Sequence, residues 1–207
     1  MLSSKGTETK KLIREAAFKL FLTKDYKSVS LKDIENITKM TRGGTSYHYH
    51  TKKDIFIDVI NVYILDTQKN KHLENDVNIM SVYDYLNCYV DNISVTMKNL
   101  SKFLIDGINI NGTRAYMSLI LQAEKYYPGF HKLLNEIENV EINNLKRIIQ
   151  KGKESGEIRK DCNIDLLSKQ IRLLFVGQSY YDALKNGLNA TELREQLLYL
   201  YSLARNK

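Results

Sequence analysis

Ser28 to Phe56 reads SVSLKDIENITKMTRGGTSYHYHTKKDIF, and the punctuation of this segment sets the expectation for the whole chain. A hydroxyl residue followed three positions later by an acid, ahead of apolar residues at helical spacing, marks a helix start. Ser30 with Asp33 makes one such start and Thr51 with Asp54 another. Val29 before the first cap and Ile34 at the fourth helical position form a hydrophobic staple. Leu31, Ile34 and Ile37 give that short helix its buried face. Thr38, Lys39 and Met40 then form a turn, and Thr41 caps a helix from Arg42 to Tyr49. Two short helices across such a turn are a helix-turn-helix, whose second member lies in the DNA major groove. Arg42, Gly43, Gly44, Thr45, Ser46, Tyr47 and His48 include no large aliphatic residue. A helix with nothing to bury faces a partner. The two glycines favour the competing reading, a polar loop, because each costs a helix roughly 1 kcal/mol against alanine. The cap and the two flanking helix starts favour the helix.

Upstream, Ile13, Ala16, Ala17, Leu20 and Phe21 form one stripe of a helix from about Thr7 to Lys24, with Asp25 expected in the left-handed conformation that ends it. Downstream, Ile55, Phe56, Val59, Ile60 and Tyr63 stripe a fourth helix that the pattern carries to about Lys71. Further amphipathic helices follow over about Val82–Lys98, Thr113–Tyr127 and Pro128–Glu154. The second has Tyr116, Met117, Ile120 and Leu121 on one face; the third has Phe130, Leu133, Leu134, Ile137, Val140, Leu145, Ile148 and Ile149 inward and Gly156 as its C-cap. Asn99–Gly112 reads as a short helix and a mobile loop. Asn163 caps a helix to about Lys185, and Asn189 or Thr191 starts a last one to about Arg205.

Composition narrows the function classes. The 207 residues are 43% hydrophobic and 27% charged, the balance of an ordinary globular chain. One proline and ten glycines are too few breakers for an all-β chain. No apolar run reaches membrane-span length and no signal core opens the chain, so no membrane partner is expected. Two cysteines outside any CxxC motif fit a reducing cytoplasm. Residues 1–55 hold twelve Lys or Arg against six Asp or Glu, and residues 56–207 hold nineteen against eighteen. Nearly all of the +7 net charge therefore sits in the first quarter, the footprint of one end that meets a polyanion.

Leu167, Ile171, Leu174 and Tyr181, with Leu193, Leu197 and Leu200, repeat every three or four residues along the last two helices. Such stripes either complete a core or meet their symmetry mates in the four-helix interface of a homodimer. Fourteen tyrosines without a tryptophan, eleven of them beyond residue 60, offer apolar faces with hydrogen-bonding tips. Tyr89, Ile93, Tyr116, Ile120 and Phe175 are candidates to line a ligand cavity, with Phe103 on its gate; the competing reading is a tryptophan-free core that uses tyrosine at half-buried positions. The ligand expected there is mostly apolar. His48 and His50 are two apart, the wrong spacing for a helical metal pair, and His72 and His131 stand alone. Cys88 reads as a small buried hydrophobe, and Cys162, beside Arg159 and Lys160, as a candidate sensing thiol. No phosphate loop, nucleophile elbow or paired carboxylates appear, so no enzyme, metal or cofactor is expected.

The Ser28–Phe56 segment resembles the TetR family of bacterial transcriptional regulators. Ser30, Asp33-Ile34, Thr41, Arg42, Gly43, Tyr47-His48-Tyr49 and Lys52 keep the family spacing over nearly thirty residues. GEIRKDCNID, Gly156 to Asp165, resembles the family's lead into its dimerisation helices; residues 75–150 share only helix lengths. The resemblance implies an all-α chain, with a helix-turn-helix DNA-binding domain over 1–52 and an effector-binding and dimerisation domain over 53–207. It implies that Arg42 and the Gly43 backbone read base edges, with Thr45 and Ser46 as further base contacts. Tyr47 and His48 bind phosphate and Lys52 clamps it; the caps Ser30 and Thr41, with Gly44, complete the expected contact set. Lys39 stands where the family has glycine, and Ser46 and Gly44 also depart from the pattern. Repression at a palindromic double-stranded operator, relieved by a small effector, is the implied function. A DNA-bound helical adaptor controlled by a protein partner is the alternative.

Overall fold

The computed structural model describes residues 4–67, 81–104 and 110–206. Every regular element among them is helical. In chain order these are α1 (Ser4–Thr23), α2 (Leu31–Thr38), α3 (Arg42–His48) and α4 (Lys52–Ile60), then α5 (Val82–Ser101), α6 (Gly112–Tyr126), α7 (Phe130–Ser155), α8 (Ile164–Ala183) and α9 (Ala190–Ala204). A π-turn over Asn61–Leu65 prolongs α4, and a 3-10 turn over Tyr26–Ser28 joins α1 to α2. The extension of α4 to Lys71, His72, and part of the expected gate over 99–112 lie outside the described residues.

The caps act as their chemistry requires. The Ser30 hydroxyl accepts from the Asp33 amide at 3.2 Å, and the Asp33 carboxylate accepts from the Ser30 amide at 2.7 Å. Thr51 and Asp54 make the same reciprocal pair. The hydrogen bonds from the Ser30 hydroxyl and amide hold the Asp33 carboxyl below its usual pKa. The cap's contribution is therefore present above the ordinary carboxylate pKa and is lost as pH falls through the lowered one. Asn163 and Asn189 accept from the amides of Leu166 and Glu192 to open α8 and α9. Gly156 closes α7 at φ 83°.

Several local expectations need correction. Asp25 is extended, at φ −61°; its carboxylate accepts from the Lys27 amide and starts the 3-10 turn, so no left-handed residue is needed there. Ile37 is exposed because the buried line of α2 runs Leu31, Ile34, Thr38 and leaves Ile37 on the far side. On α6 the inward line is Ala115, Leu119, Gln122 and Ala123, and Leu121 is 72% exposed. Pro128 precedes α7, whose cap is Gly129 at φ 82°, and Val140 faces outward.

Two apolar cores organise the chain. The first joins α1, α2 and α4 to Ala115, Leu119 and Ala123 of α6 and Phe130 and Ile137 of α7. The packing thus runs across residue 52 without a break: Phe21 of α1 meets Phe56 of α4 edge-on at 5.0 Å, a burial whose truncation costs about 3–5 kcal/mol. The second core joins α5, α7, α8 and α9. Gly152 of α7 belongs to its tightest point, where an added Cβ would lie 2.6 Å from Val82 and 2.8 Å from Ile158. Glu157 accepts from the amides of Val82 and Tyr83, at 2.9 and 3.0 Å, and so caps α5 from the α7–α8 turn.

Candidate nucleic-acid interface

Helix α3 has two faces, although its sequence shows no apolar stripe. Thr45 and Tyr49, four apart, turn inward, and Arg42, Gly43, Ser46 and Tyr47 lie exposed on the other side. The Thr41 hydroxyl accepts from the Gly44 amide at 3.2 Å. Arg42, Ser46 and Tyr47 are free to meet a groove, Tyr47 being 76% exposed. Nothing lies within 4 Å of a Cβ placed on Gly43, so a ligand can approach that backbone closely. His48 is half-buried and meets the Tyr47 ring edge-on. Ser30 and Thr41 stand exposed at the heads of α2 and α3.

Three expected contacts fall elsewhere. Thr45 is 1% exposed and its hydroxyl donates to the Thr41 carbonyl at 3.4 Å, so it cannot read a base. Gly44 packs against the Met40 side chain, where a Cβ would sit at 3.0 Å, and serves the turn more than the groove. The Lys52 ammonium donates to the carbonyls of Tyr26 and Val29, at 2.7 and 2.6 Å, and lies 4.2 Å from the centre of the Tyr26 ring. Burial lowers its pKa. Two of its three donors are used inside the fold, which leaves it a poor phosphate clamp. Lys52→Ala should therefore lower stability by about 1.5–3 kcal/mol and the melting temperature by roughly 3–12 °C. Its DNA-binding salt dependence should stay that of the wild type; thermal melts alongside salt titrations check both.

The support beneath α3 is a network that its own segment does not announce. Tyr49 donates its hydroxyl to the Asp58 carboxylate of α4 at 2.5 Å, and Arg14 of α1 pairs with the same oxygen at 3.3 Å. Burial, then the hydrogen bond to Asp58, raises the Tyr49 pKa strongly, so the phenol stays protonated and holds the C-terminal end of α3. The only sequence signal is an aromatic residue nine positions before an acid on a helix face.

The expected dimer residues divide sharply. Leu167, Ile171, Leu193 and Leu197 are buried in the chain's own second core and are unavailable to a partner. Leu174 and Leu200 are half-buried against that core. Tyr181 is exposed. The apolar face left open on α8 and α9 consists instead of Leu166, Leu173, Val176, Tyr180 and Leu184 with Tyr199 and Leu203. Gly177, in the middle of that face, has nothing within 4 Å of a Cβ.

The expected effector residues also separate. Tyr89 and Ile93 are buried in the second core, with Phe175 packed against it; Phe103, Tyr116 and Ile120 pack on the first. Their inward spacing reflects core packing, and none of the six lines the cavity at the end of α5. Beside Tyr89 the structure places a part-buried polar knot. Arg172 of α8 forks onto Glu138 of α7 and donates to the Tyr89 hydroxyl at 3.1 Å. Burial outweighs the nearby arginine and pushes the Tyr89 pKa up to about 12. That cavity, about 460 Å³, lies between the end of α5, the start of α6 and the α8–α9 turn. Met97, Leu188 and Ala190 line it from the second core, and Leu104 and Ile110 from the first. It therefore follows the seam between them.

Burial raises the Cys162 thiol pKa in spite of Lys153 and Arg159, the opposite of what a reactive thiol needs. Among the described residues no cluster of His, Cys, Asp and Glu has the makings of a metal site, and no helix is long and apolar enough to cross a membrane.

The whole architecture has counterparts of known structure. The chain is similar to a TetR-family transcriptional regulator from Cytophaga hutchinsonii, at 19% identity and TM-score 0.68, over 100% of both chains. It is similar to a TetR transcriptional regulator from Chloroflexus aurantiacus, at 17% identity and TM-score 0.68, over 99% of this chain and 100% of the other. A protein from Saccharomonospora viridis, described as a transcriptional regulator and crystallised with choline, aligns at 19% identity and TM-score 0.72 over 97% and 100% of the two chains. No family model matches the chain, and no curated protein matches it in sequence. The fold is that of the TetR-family regulators.

Proposed function

We propose that this chain is a dimeric, cytoplasmic TetR-like transcriptional regulator that binds a palindromic operator, represses from it and is released by a small effector. The observation that carries the reading is the two-faced α3, anchored underneath by Tyr49 and Asp58 and presenting Arg42, Gly43, Ser46 and Tyr47 outward. Arg42 suits guanine, because its planar fork matches two acceptors in the major groove. Tyr47 and His48 position the helix on phosphates. A titration of duplex DNA across salt concentrations tests this. Two to four ionic contacts per dimer give a log-log slope of roughly −2 to −4, and binding without salt dependence would contradict the reading.

The dimer proposed here uses the open face of α8 and α9, where Gly177 lets the partner helix approach closely. Seven large apolar residues on two adjacent helices form a patch that a second copy would cover. If a protein partner covered it instead, the adaptor reading would take precedence.

The seam cavity is the proposed effector site. Its wall mixes Met97, Leu104 and Leu188 with Ser94, Asn111 and Lys98, which suits a mostly apolar ligand with one or two polar groups. A ligand there changes how the two cores pack, and the first core carries α1 and α4. Two hydrogen bonds continue the path. The Tyr26 amide donates to Gln122 of α6 at 2.6 Å, and the Tyr127 hydroxyl donates to Asn61 at 2.9 Å. An effector should weaken operator binding by about 1–3 kcal/mol and raise the melting temperature as it saturates. Leu188→Trp, which fills the cavity, should abolish both responses; hits that still act on this variant would place the switch elsewhere.

A further inference from the structure

Lys39 is the only non-glycine residue with positive φ among the described residues, at φ 57° and ψ 28°. The left-handed region crowds Cβ against the following carbonyl, so any residue but glycine is held there at a cost. Asparagine would be held at less cost than lysine. The local hydrogen bonding does not require a lysine. Its amide donates to the Glu35 carbonyl, a bond that any residue other than proline makes. Its side chain is exposed, and none of the ion pairs or hydrogen bonds among the described residues uses its ammonium. The fold thus bears a backbone penalty and receives no side-chain contact in return. Strain that persists without a structural gain marks a functional position.

The position has a clear outlook. Lys39 stands two residues before Thr41, the cap of α3, and three before Arg42. With Lys52 tied to carbonyls, the helix-turn-helix has lost the cation expected to hold phosphate at its far end. The reader is also thin in contact groups, with Gly43, Gly44 and Ser46 along its length and Thr45 turned inward. We infer that Lys39 is a positioning residue that ion-pairs with an operator phosphate at the entrance to the reading helix. This rests on the proposed function above and assigns the phosphate contact to the turn.

Three variants separate charge from backbone. Lys39→Gly removes both the strain and the charge. It should melt roughly 1–4 °C higher than the wild type and bind every duplex more weakly. Its salt slope should be shallower by about 2 for the dimer, one contact per subunit. Lys39→Gln keeps the strain and should show the same slope change with no gain in melting temperature. Lys39→Arg should bind as the wild type does. Wild-type binding with an unchanged slope in both Lys39→Gly and Lys39→Gln overturns the assignment and leaves the regulator reading standing. Failure of the wild type to bind any duplex overturns both. A loss of affinity in Lys39→Gly without a slope change also overturns it, since the turn would then act through shape alone.

Discussion

Leu173→Glu combined with Tyr199→Glu should yield a folded monomer that no longer retains duplex DNA. Both side chains are more than half exposed, at 56% and 67%, so the substitutions leave the chain's own cores untouched. Each would place two carboxylates, one from each subunit, in the proposed interface with Leu166, Val176, Tyr180, Leu184 and Leu203, all exposed in the single chain. An uncompensated buried charge costs several kcal/mol, and here the cost is incurred four times per dimer. Sedimentation at micromolar concentration should show the monomer mass with a helical spectrum unchanged from the wild type. DNA binding should disappear with the dimer, because a single α3 offers too little contact to hold a half-site. Charges at Leu193 or Leu197 behave differently: those residues lie in the second core, and glutamate there should unfold the chain.

Arg42→Ala should cost about 1–3 kcal/mol on the cognate site, a loss of roughly five- to 150-fold. Arg42 is the first residue of α3 and is exposed, so truncation should leave the melting temperature within about a degree or two. The loss should be selective. Preference at one base pair of each half-site should flatten while binding to unrelated duplexes changes little, because the contact proposed for Arg42 is to base edges. Lys39→Gly, by contrast, should weaken all sequences alike. Competition titrations with single-base operator variants separate the two. Uniform loss in Arg42→Ala would reassign that side chain to phosphate.

The part of this architecture that was legible in the sequence is the part fixed by local chemistry. Ser30 with Asp33, Thr51 with Asp54, Asn163 and Asn189 act on amides three residues away, so spacing alone reveals them. Gly156 is legible for the same reason. The remainder depends on partners far along the chain. Lys52 reaches carbonyls 26 and 23 residues upstream, and nothing in TKKD distinguishes that from a lysine aimed at phosphate. The resemblance implies a base contact for Thr45, but a threonine that satisfies its hydroxyl on its own helix can be buried, and no local signal marks that. The open apolar face of α8 and α9 is hidden in the sequence by doublets. Leu166 and Leu167, or Leu173 and Leu174, sit about 100° apart on one helix, and only tertiary packing decides which of each pair faces the chain's own core. The expected pocket residues divide between two cores, and only tertiary packing decides which core each one joins.

In the proposed complex two copies of α3, held in twofold symmetry, read duplex DNA. Selection of bound sequences from a random duplex pool by the purified chain tests it most directly. The expected result is enrichment of an inverted repeat whose half-sites lie about one helical turn apart or a multiple of it. The enrichment should be lost with Leu173→Glu/Tyr199→Glu and altered at one position per half-site with Arg42→Ala. A pool that emerges unenriched, or enriched in a sequence without twofold symmetry, would contradict it.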